Sequence, residues 1–346
     1  MKIVIDAMGG DFAPVEQVKG AVLALKDNPD ISIILCGDET QIRAELSKTP
    51  HDSSRVEIVH TTETITMEEI PTKAVKTKKD SSLVVAFRLL KEGKADALVS
   101  SGSTGAVLTA GVLLLGRLKG VSRPALCPAI PNIRGSQTLL CDCGANLECK
   151  PINLVHFAIM GTAYAQAAYG IENPVCGLLN NGTEDHKGDL IHQEANALLK
   201  QTKGINYAGN VEGREIMLGD IDVMIADGYT GNIAVKSVEG CAKAVGGILK
   251  KRLTQNFFTK LRALFVKGIV DKVKTDLDYE GKGGSLFLGL AKTVVKGHGN
   301  SKARGIKACV EQAANAVRGN MLEKMSALLE KATEAATETP TETSAQ

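Results

Sequence analysis

The residues of this chain that could do chemistry sit in glycine-rich turns, each behind a short apolar run. Ser101-Gly102-Ser103-Thr104-Gly105 follows Ala95 to Ser100. Its glycines let the backbone approach a ligand, its hydroxyls donate, and the N–H groups of a following helix attract an anion. A tight strand-to-helix turn with a Ser or Thr cap explains the same residues structurally. Gly10 and Asp11 close the first apolar run in the same manner. The stretch Asn180 to Gly188 crowds two acids, His186 and Lys187 behind another run, and Lys187 suits an anion or a polarised carbonyl. A charged, solvated turn is the plainer alternative. Asn210 lies in Gly209 to Gly213, and Asp227 follows Val223 to Ala226, where catalytic carboxylates often lie. Asn232 is expected to open the next helix, so its amide either caps that helix or donates to an oxyanion. His298, between Gly297 and Gly299, is a candidate donor or an ordinary loop histidine.

Several chemistries are poorly supported. No Walker loop G-x4-G-K-S/T occurs, residue 101 is Ser where G-x-S-x-G needs Gly, and Gly297-His298-Gly299 has Lys302 at the sixth place of G-x-G-x-x-G. A nucleotide cofactor is therefore not expected. His186 and His192 are not spaced i, i+4, and Cys141, Cys143 and Cys149 lack the paired spacing of a zinc site, so no metal is expected and the thiols read as reduced. The balance of 41 Lys and Arg against 39 Asp and Glu gives +2, and there is no Trp. Neither suits a nucleic-acid binder. No apolar run approaches the length of a membrane span, and the N-terminus lacks the apolar core of a signal peptide, so the expected setting is cytoplasmic.

To hold such turns in place the chain must alternate strands and helices. Strands are expected at Lys2 to Ala7, Ile31 to Cys36, Arg55 to His60, Ala95 to Ser100, Thr138 to Cys141, Val175 to Leu179, Asn206 to Ala208 and Val223 to Ala226. Val15, Val18, Val22 and Leu25 have helical spacing, a helix is expected from the 101–105 turn to Leu118, and Ser301 to Lys331 reads as one long helix. This pattern predicts an α/β fold, a three-layer Rossmann-like sheet covered by helices on both faces. Residues 1–332 are expected to form one catalytic unit or two lobes, and 333–346 a disordered acidic tail.

Read in order, the turns carry more than they do singly. IDAMGGD (Ile5 to Asp11), KKDSS (Lys78 to Ser82), SGSTGA (Ser101 to Ala106), RPAL (Arg123 to Leu126), DCGAN (Asp142 to Asn146), LLNNGTEDHKG (Leu178 to Gly188), GNVEG, DGYTGN (Asp227 to Asn232) and GHGNS (Gly297 to Ser301) span nearly the whole chain. In this order they resemble the bacterial phosphate acyltransferases of phospholipid synthesis. Ser103 stands where that family often has Asn, and Cys143 where it often has an aliphatic residue. The resemblance implies a fold like phosphotransacetylase and isopropylmalate dehydrogenase, and a homodimer. It implies transfer of an acyl group from acyl carrier protein to inorganic phosphate, with a glycerol-phosphate acyltransferase downstream. Phosphate is then the nucleophile, so no Ser-His-Asp set is needed. Lys187, Asn232, Asp227 and His298 become the catalytic candidates. Gly10, Asp11, Gly102, Ser103, Thr104, Gly105, Asn146, Asn180 and Asn210 become the phosphate and substrate contacts. A phosphotransacetylase-like enzyme using coenzyme A, and a non-enzymatic membrane-surface scaffold, are the alternatives.

Two basic segments suggest partners. Lys73, Lys76, Lys78 and Lys79 offer a docking face for an acidic carrier, or a solvated charge run. Residues 250–274 carry eight basic residues and one acid, with Phe257, Phe258, Leu261 and Phe265 at helical spacing. Such a helix is suited to lie on the anionic inner face of a membrane, peripherally; packing in the core or in a dimer interface is the alternative.

Overall fold

A computed structural model describes residues 1–276 and 283–338. Among these residues eleven strands form one sheet. In chain order they are β1 (Lys2–Asp6), β2 (Ser32–Gly37), β3 (Val56–His60), β4 (Ala97–Ser100), β5 (Ala125–Pro131), β6 (Gln137–Cys141), β7 (Val175–Asn180), β8 (Asn206–Glu212), β9 (Val223–Ile225), β10 (Ser285–Leu288) and β11 (Thr293–Lys296). The spatial order is β3-β2-β1-β4-β11-β10-β5-β6-β9-β7-β8. The helices are α1 (Val15–Asp27), α2 (Glu39–Leu46), α3 (Pro71–Thr77), α4 (Ser82–Lys91), α5 (Thr104–Ala110), α6 (Pro151–Ala168), α7 (Leu190–Gln201), α8 (Gly228–Leu253), α9 (Phe257–Asp276), α10 (Ala303–Arg318) and α11 (Met321–Glu338).

The strands run in two senses. β1, β2, β3, β4 and β11 are mutually parallel, and β10 is antiparallel to both β11 and β5, which gives β5 the sense of β4. β6 is antiparallel to β5, and β6, β9, β7 and β8 are parallel to one another. The turns after β1, β4 and β11 therefore leave one edge of the sheet, and those after β6, β7 and β9 leave the opposite edge.

Period-two alternation sorts the strand residues onto two faces. On one face Ile3, Ile5, Leu35, Val99, Val295, Leu286, Cys127, Leu139, Ile225 and Cys176 share a continuous core with α1, α6, α10 and α11. On the other face the apolar residues form two separate clusters. Val4, Ile34, Leu98, Val294, Phe287 and Leu126 pack under α3, α4 and α5, whereas Ile130, Leu140, Leu179 and Met224 pack under α8 through Val235. The division falls on β5, whose Leu126 belongs to one cluster and Ile130 to the other.

Several elements depart from the sequence expectations. β5, β10 and β11 were not anticipated, and α5 gives way to a π-helix, Gly111–Leu115, that ends short of Leu118. The long helix expected over Ser301 to Lys331 is two, because Gly319 ends α10 and Asn320 takes φ 52°, the left-handed region. α11 continues to Glu338, past the expected start of the tail at 333. The remainder, 339–346, lies outside the described residues.

Candidate active site

On the edge where β1, β4 and β11 end, glycines bring three turns into contact. Gly10 holds φ +107°, and the Asp11 amide donates to the Gly299 carbonyl at 2.8 Å. A Cβ on Gly9 would lie 2.9 Å from the Gly102 nitrogen, and one on Gly297 would lie 2.5 Å from the Ser101 hydroxyl. Gly102, Ser103, Thr104 and Gly105 lead directly into α5, and the Ser103 side chain makes no capping bond. Beneath these turns Asp6 is buried, its two carboxylate oxygens accepting from Ser82 Oγ at 2.6 Å and Ser100 Oγ at 2.7 Å. Burial raises the Asp6 pKa, and those hydroxyls oppose the rise. His298 is pulled down to about 4, first by desolvation and then by the Lys296 charge. Its ring is thus neutral near pH 7.

On the opposite edge, buried Asp142 organises the DCGAN turn. One oxygen accepts from the amides of Leu126, Cys143 and Ala145, the other from the Asn146 amide and the Asn146 side chain. Asn146 gives its other N–H to the Pro124 carbonyl, so its amide is spent holding the turn. Asn180 and Asn210 act similarly for the Lys187 turn, donating to the carbonyls of Lys187 and Glu184. These three asparagines, expected as substrate contacts, hold loops in place.

Asp227 caps α8, its Oδ1 accepting from the amides of Tyr229 and Thr230. Asn232 therefore does not open the helix; it sits in the second turn, against Gly144. The other Asp227 oxygen lies 3.8 Å from His192 Nε2, while His192 Nδ1 is 2.7 Å from Asp189. α8 presses on the DCGAN turn so closely that a Cβ on Gly231 would fall 1.9 Å from the Asp142 carbonyl oxygen.

α8 links the two edges. It starts beside Asp142, and its Val235, Val238, Glu239 and Ala242 line a small cavity with Ile130 and Pro131, where β5 ends on the edge of Gly10 and His298. Lys236, one turn past Asn232, lies close enough for its charge to be felt at both Lys296 and His298. Asn232 thus stands against the DCGAN turn, and is connected to the glycine turns of the other edge only through α8. Sequence reasoning missed Lys296 and Lys236, gave Asp142 only as part of the DCGAN run, and weighed His192 only as a metal ligand. A charged residue ending the apolar run Thr293 to Val295 was the available signal for Lys296, and Asp189 three residues before His192 was that for the histidine.

Of the expected docking lysines, Lys73, Lys76 and Lys79 are exposed on or beside α3, which touches the 101–105 turn through Pro71 and Gly105. Lys78 turns inward, donating to the Thr64 carbonyl at 2.7 Å and to Glu69 at 2.8 Å. Phe257, Phe258, Leu261 and Phe265 on α9 are all exposed, with Phe265 at 86%.

The family model described as "Fatty acid synthesis protein" matches residues 1–324. A phosphate acyltransferase of Clostridioides difficile is 45% identical over 332 residues, covering 96% of this chain and 97% of the relative. Among solved structures, a phosphotransacetylase from Streptococcus pyogenes superposes with TM-score 0.61 at 18% identity, covering 93% of this chain and 94% of that one. A 4-hydroxythreonine-4-phosphate dehydrogenase from Klebsiella pneumoniae gives 0.53 at 12%, covering 92% and 98%.

Proposed function

Because the chain belongs to the fatty acid synthesis protein family and is an acyltransferase of the phosphate acyltransferase group, we propose that it moves an acyl chain from acyl carrier protein to inorganic phosphate. A phosphate oxygen attacks the thioester carbonyl carbon, a C–O bond forms, and the C–S bond breaks. The electron pair leaves with sulfur, which takes up a proton as free carrier thiol. The observation that carries this reading is the near-full-length identity to phosphate acyltransferases. The site supports it. Catalysis of this step needs an anion held beside a thioester and a donor for the tetrahedral oxyanion. The glycine-lined edge and Lys187 suit the first need, and Asn232 the second. An enzyme family displaces the scaffold alternative.

Coenzyme A in place of the carrier is favoured by one observation, the phosphotransacetylase-like fold. Phosphate-dependent thiol release, measured with acyl-carrier and acyl-coenzyme A thioesters side by side, decides between them. Faster release from coenzyme A would replace the carrier reading. No phosphate dependence with either would remove the function. The same assay tests the carrier surface on α3. Lys73→Glu with Lys76→Glu is expected to raise the carrier KM and flatten its salt dependence, and an unchanged KM at low salt would count against that surface.

Among the described residues no helix is long and apolar enough to cross a membrane. Membrane contact is instead proposed through α9, whose apolar residues are exposed rather than packed in the core of this chain. A long-chain acyl phosphate is amphiphilic, so release at a lipid surface suits it. A homodimer is the family expectation, and a second copy competes for the same apolar residues.

A further inference from the structure

β5 runs against β6, so it begins on the edge where β6, β7 and β9 end. The segment that leads into it, 116–124, passes the DCGAN turn there. Its path is fixed from several sides. The Leu118 amide donates to the Gly289 carbonyl and the Ala291 amide to the Gly116 carbonyl, which ties its start to the turn between β10 and β11. Ser122 Oγ accepts from Asn153 Nδ2 at 2.6 Å, and the Pro124 carbonyl accepts from Asn146 Nδ2 at 2.7 Å.

Between this segment, the C-terminal half of α5 and the DCGAN turn lies a cavity of about 790 Å³. That is within the roughly 300–1,000 Å³ of small-molecule sites. Leu108, Val112, Leu118 and Val121 give it apolar walls, and Arg117 and Arg123 line it with no carboxylate beside them. Arg117 spends one N–H on the Ser122 carbonyl. Arg123 makes no side-chain hydrogen bond or ion pair among the described residues. A guanidinium carries five donors, so both have several to offer. Two unneutralised guanidiniums above an apolar wall suit a ligand with a phosphate at one end and a less polar body.

The far wall points to what that body carries. Ala145 and Asn146 close the cavity on the DCGAN side. At Gly144, the residue before them, a Cβ would lie 3.8 Å from Asn232 Cγ. One turn thus separates the cavity from the amide assigned to the oxyanion, and the Lys187 turn leaves β7 on the same edge.

We propose that this cavity receives a phosphopantetheine arm, with Arg117 and Arg123 holding its phosphate, the apolar walls its pantetheine chain, and the thioester end lying toward Asn232. Acyl carrier protein and coenzyme A both carry their thioester on such an arm. The proposal rests on the reading of the protein as a phosphate acyltransferase and assigns the thioester substrate its residues.

The test compares wild type, Arg123→Gln and the double variant Arg117→Gln with Arg123→Gln. Phosphate-dependent thiol release is measured with four thioesters of one acyl chain: on carrier protein, coenzyme A, 4′-phosphopantetheine and pantetheine, which lacks the phosphate. Wild type is expected to favour acyl-phosphopantetheine over acyl-pantetheine by about tenfold or more in kcat/KM. The double variant is expected to lose that preference, to raise KM for the three phosphate-bearing thioesters by about tenfold, and to treat acyl-pantetheine as wild type does. An intact preference in the double variant would overturn the site and leave the function standing. A loss confined to the carrier thioester would mean that the arginines meet the carrier's own acidic surface, and would overturn the arm assignment. A rise in melting temperature with free 4′-phosphopantetheine that needs the arginines, without thiol release from any thioester, would keep the site and overturn the function. Should the double variant fail to fold, Arg123→Gln decides alone, and a wild-type preference there overturns the proposal.

Discussion

His298 shows what burial among cations does to one side chain. Desolvation, then Lys296, with Lys236 and Lys243 adding and Glu239 opposing, depresses its pKa to about 4. The folded state therefore binds fewer protons than the unfolded chain between about pH 6.5 and 4. Stability is expected to fall across that window as pH drops, by about 1–3 kcal/mol from this residue. Urea melts at pH 7 and pH 4.5 check it: His298→Asn should lose less stability on acidification than wild type, and an equal loss would refute the assignment. Lys187 and Asn232 bear on turnover instead. Each lies on an exposed turn or helix face rather than in the core, so alanine should leave folding intact. Loss of one oxyanion donor costs about 10²–10³ in turnover. Lys187→Ala and Asn232→Ala are both expected to fall by at least that much in kcat for thiol release, and near-normal turnover in both would remove them from the catalytic set.

At the scale of elements, the contact between α8 and the DCGAN turn sets where Asn232 and Lys236 stand. Gly228 and Gly231 permit it; a Cβ on Gly228 would lie 2.5 Å from the Asn146 carbonyl oxygen. Gly231→Ala puts a methyl into backbone, which cannot rotate aside, so α8 must shift. Overpacking of this kind costs about 1–3 kcal/mol, and a shift near 1 Å costs about 10²-fold in rate. Denaturant midpoint and kcat should both fall; wild-type values in either would mean the contact is looser than described. Much of this frame was legible in advance. The turns announced themselves because glycine, hydroxyl and acid cluster after β-rich runs, and eight strands fell close to their expected places. The missing strands were hidden for a physical reason. β5 carries Pro128 and Pro131, which argue against a central strand, and β10 and β11 are four residues each. The length of α8 was obscured by Gly240, Gly246 and Gly247, which weaken helical patterning. The break between α10 and α11 lay in a Gly-Asn pair inside a period that resumes on the far side. Site geometry was less legible still, because pairing of Asp6, Ser100 and Lys296 depends on strands that meet only in the folded sheet.

For the whole molecule, the exposed part of α8 and α9 sets the relation to surroundings. Val245, Ile248, Phe257, Phe258, Leu264, Phe265 and Ile269 are all more than half exposed, beside Lys250, Lys251, Arg252, Lys260 and Arg262. Each basic residue near an anionic bilayer contributes roughly 1 kcal/mol. Co-sedimentation should be strong with anionic vesicles, weak with neutral ones, reduced by salt, and lost in Phe258→Glu with Leu261→Glu. Binding indifferent to all of these would remove the membrane assignment. Light scattering of the same variant shows whether a second copy used that face.

The order in which the sheet is assembled differs from the order in which the ribosome delivers it. β10 and β11 lie at its middle, between β4 and β5, yet they are made last among the strands. Until residue 296 has left the exit tunnel, β4 and β5 each expose an unpaired rim of backbone donors and acceptors. Such rims invite pairing with another chain. A nascent or truncated product stopping before Gly283 would therefore hold two half-sheets with open seams. The sheet is complete only when this late hairpin closes it, and the same hairpin brings Lys296 beside Ser100.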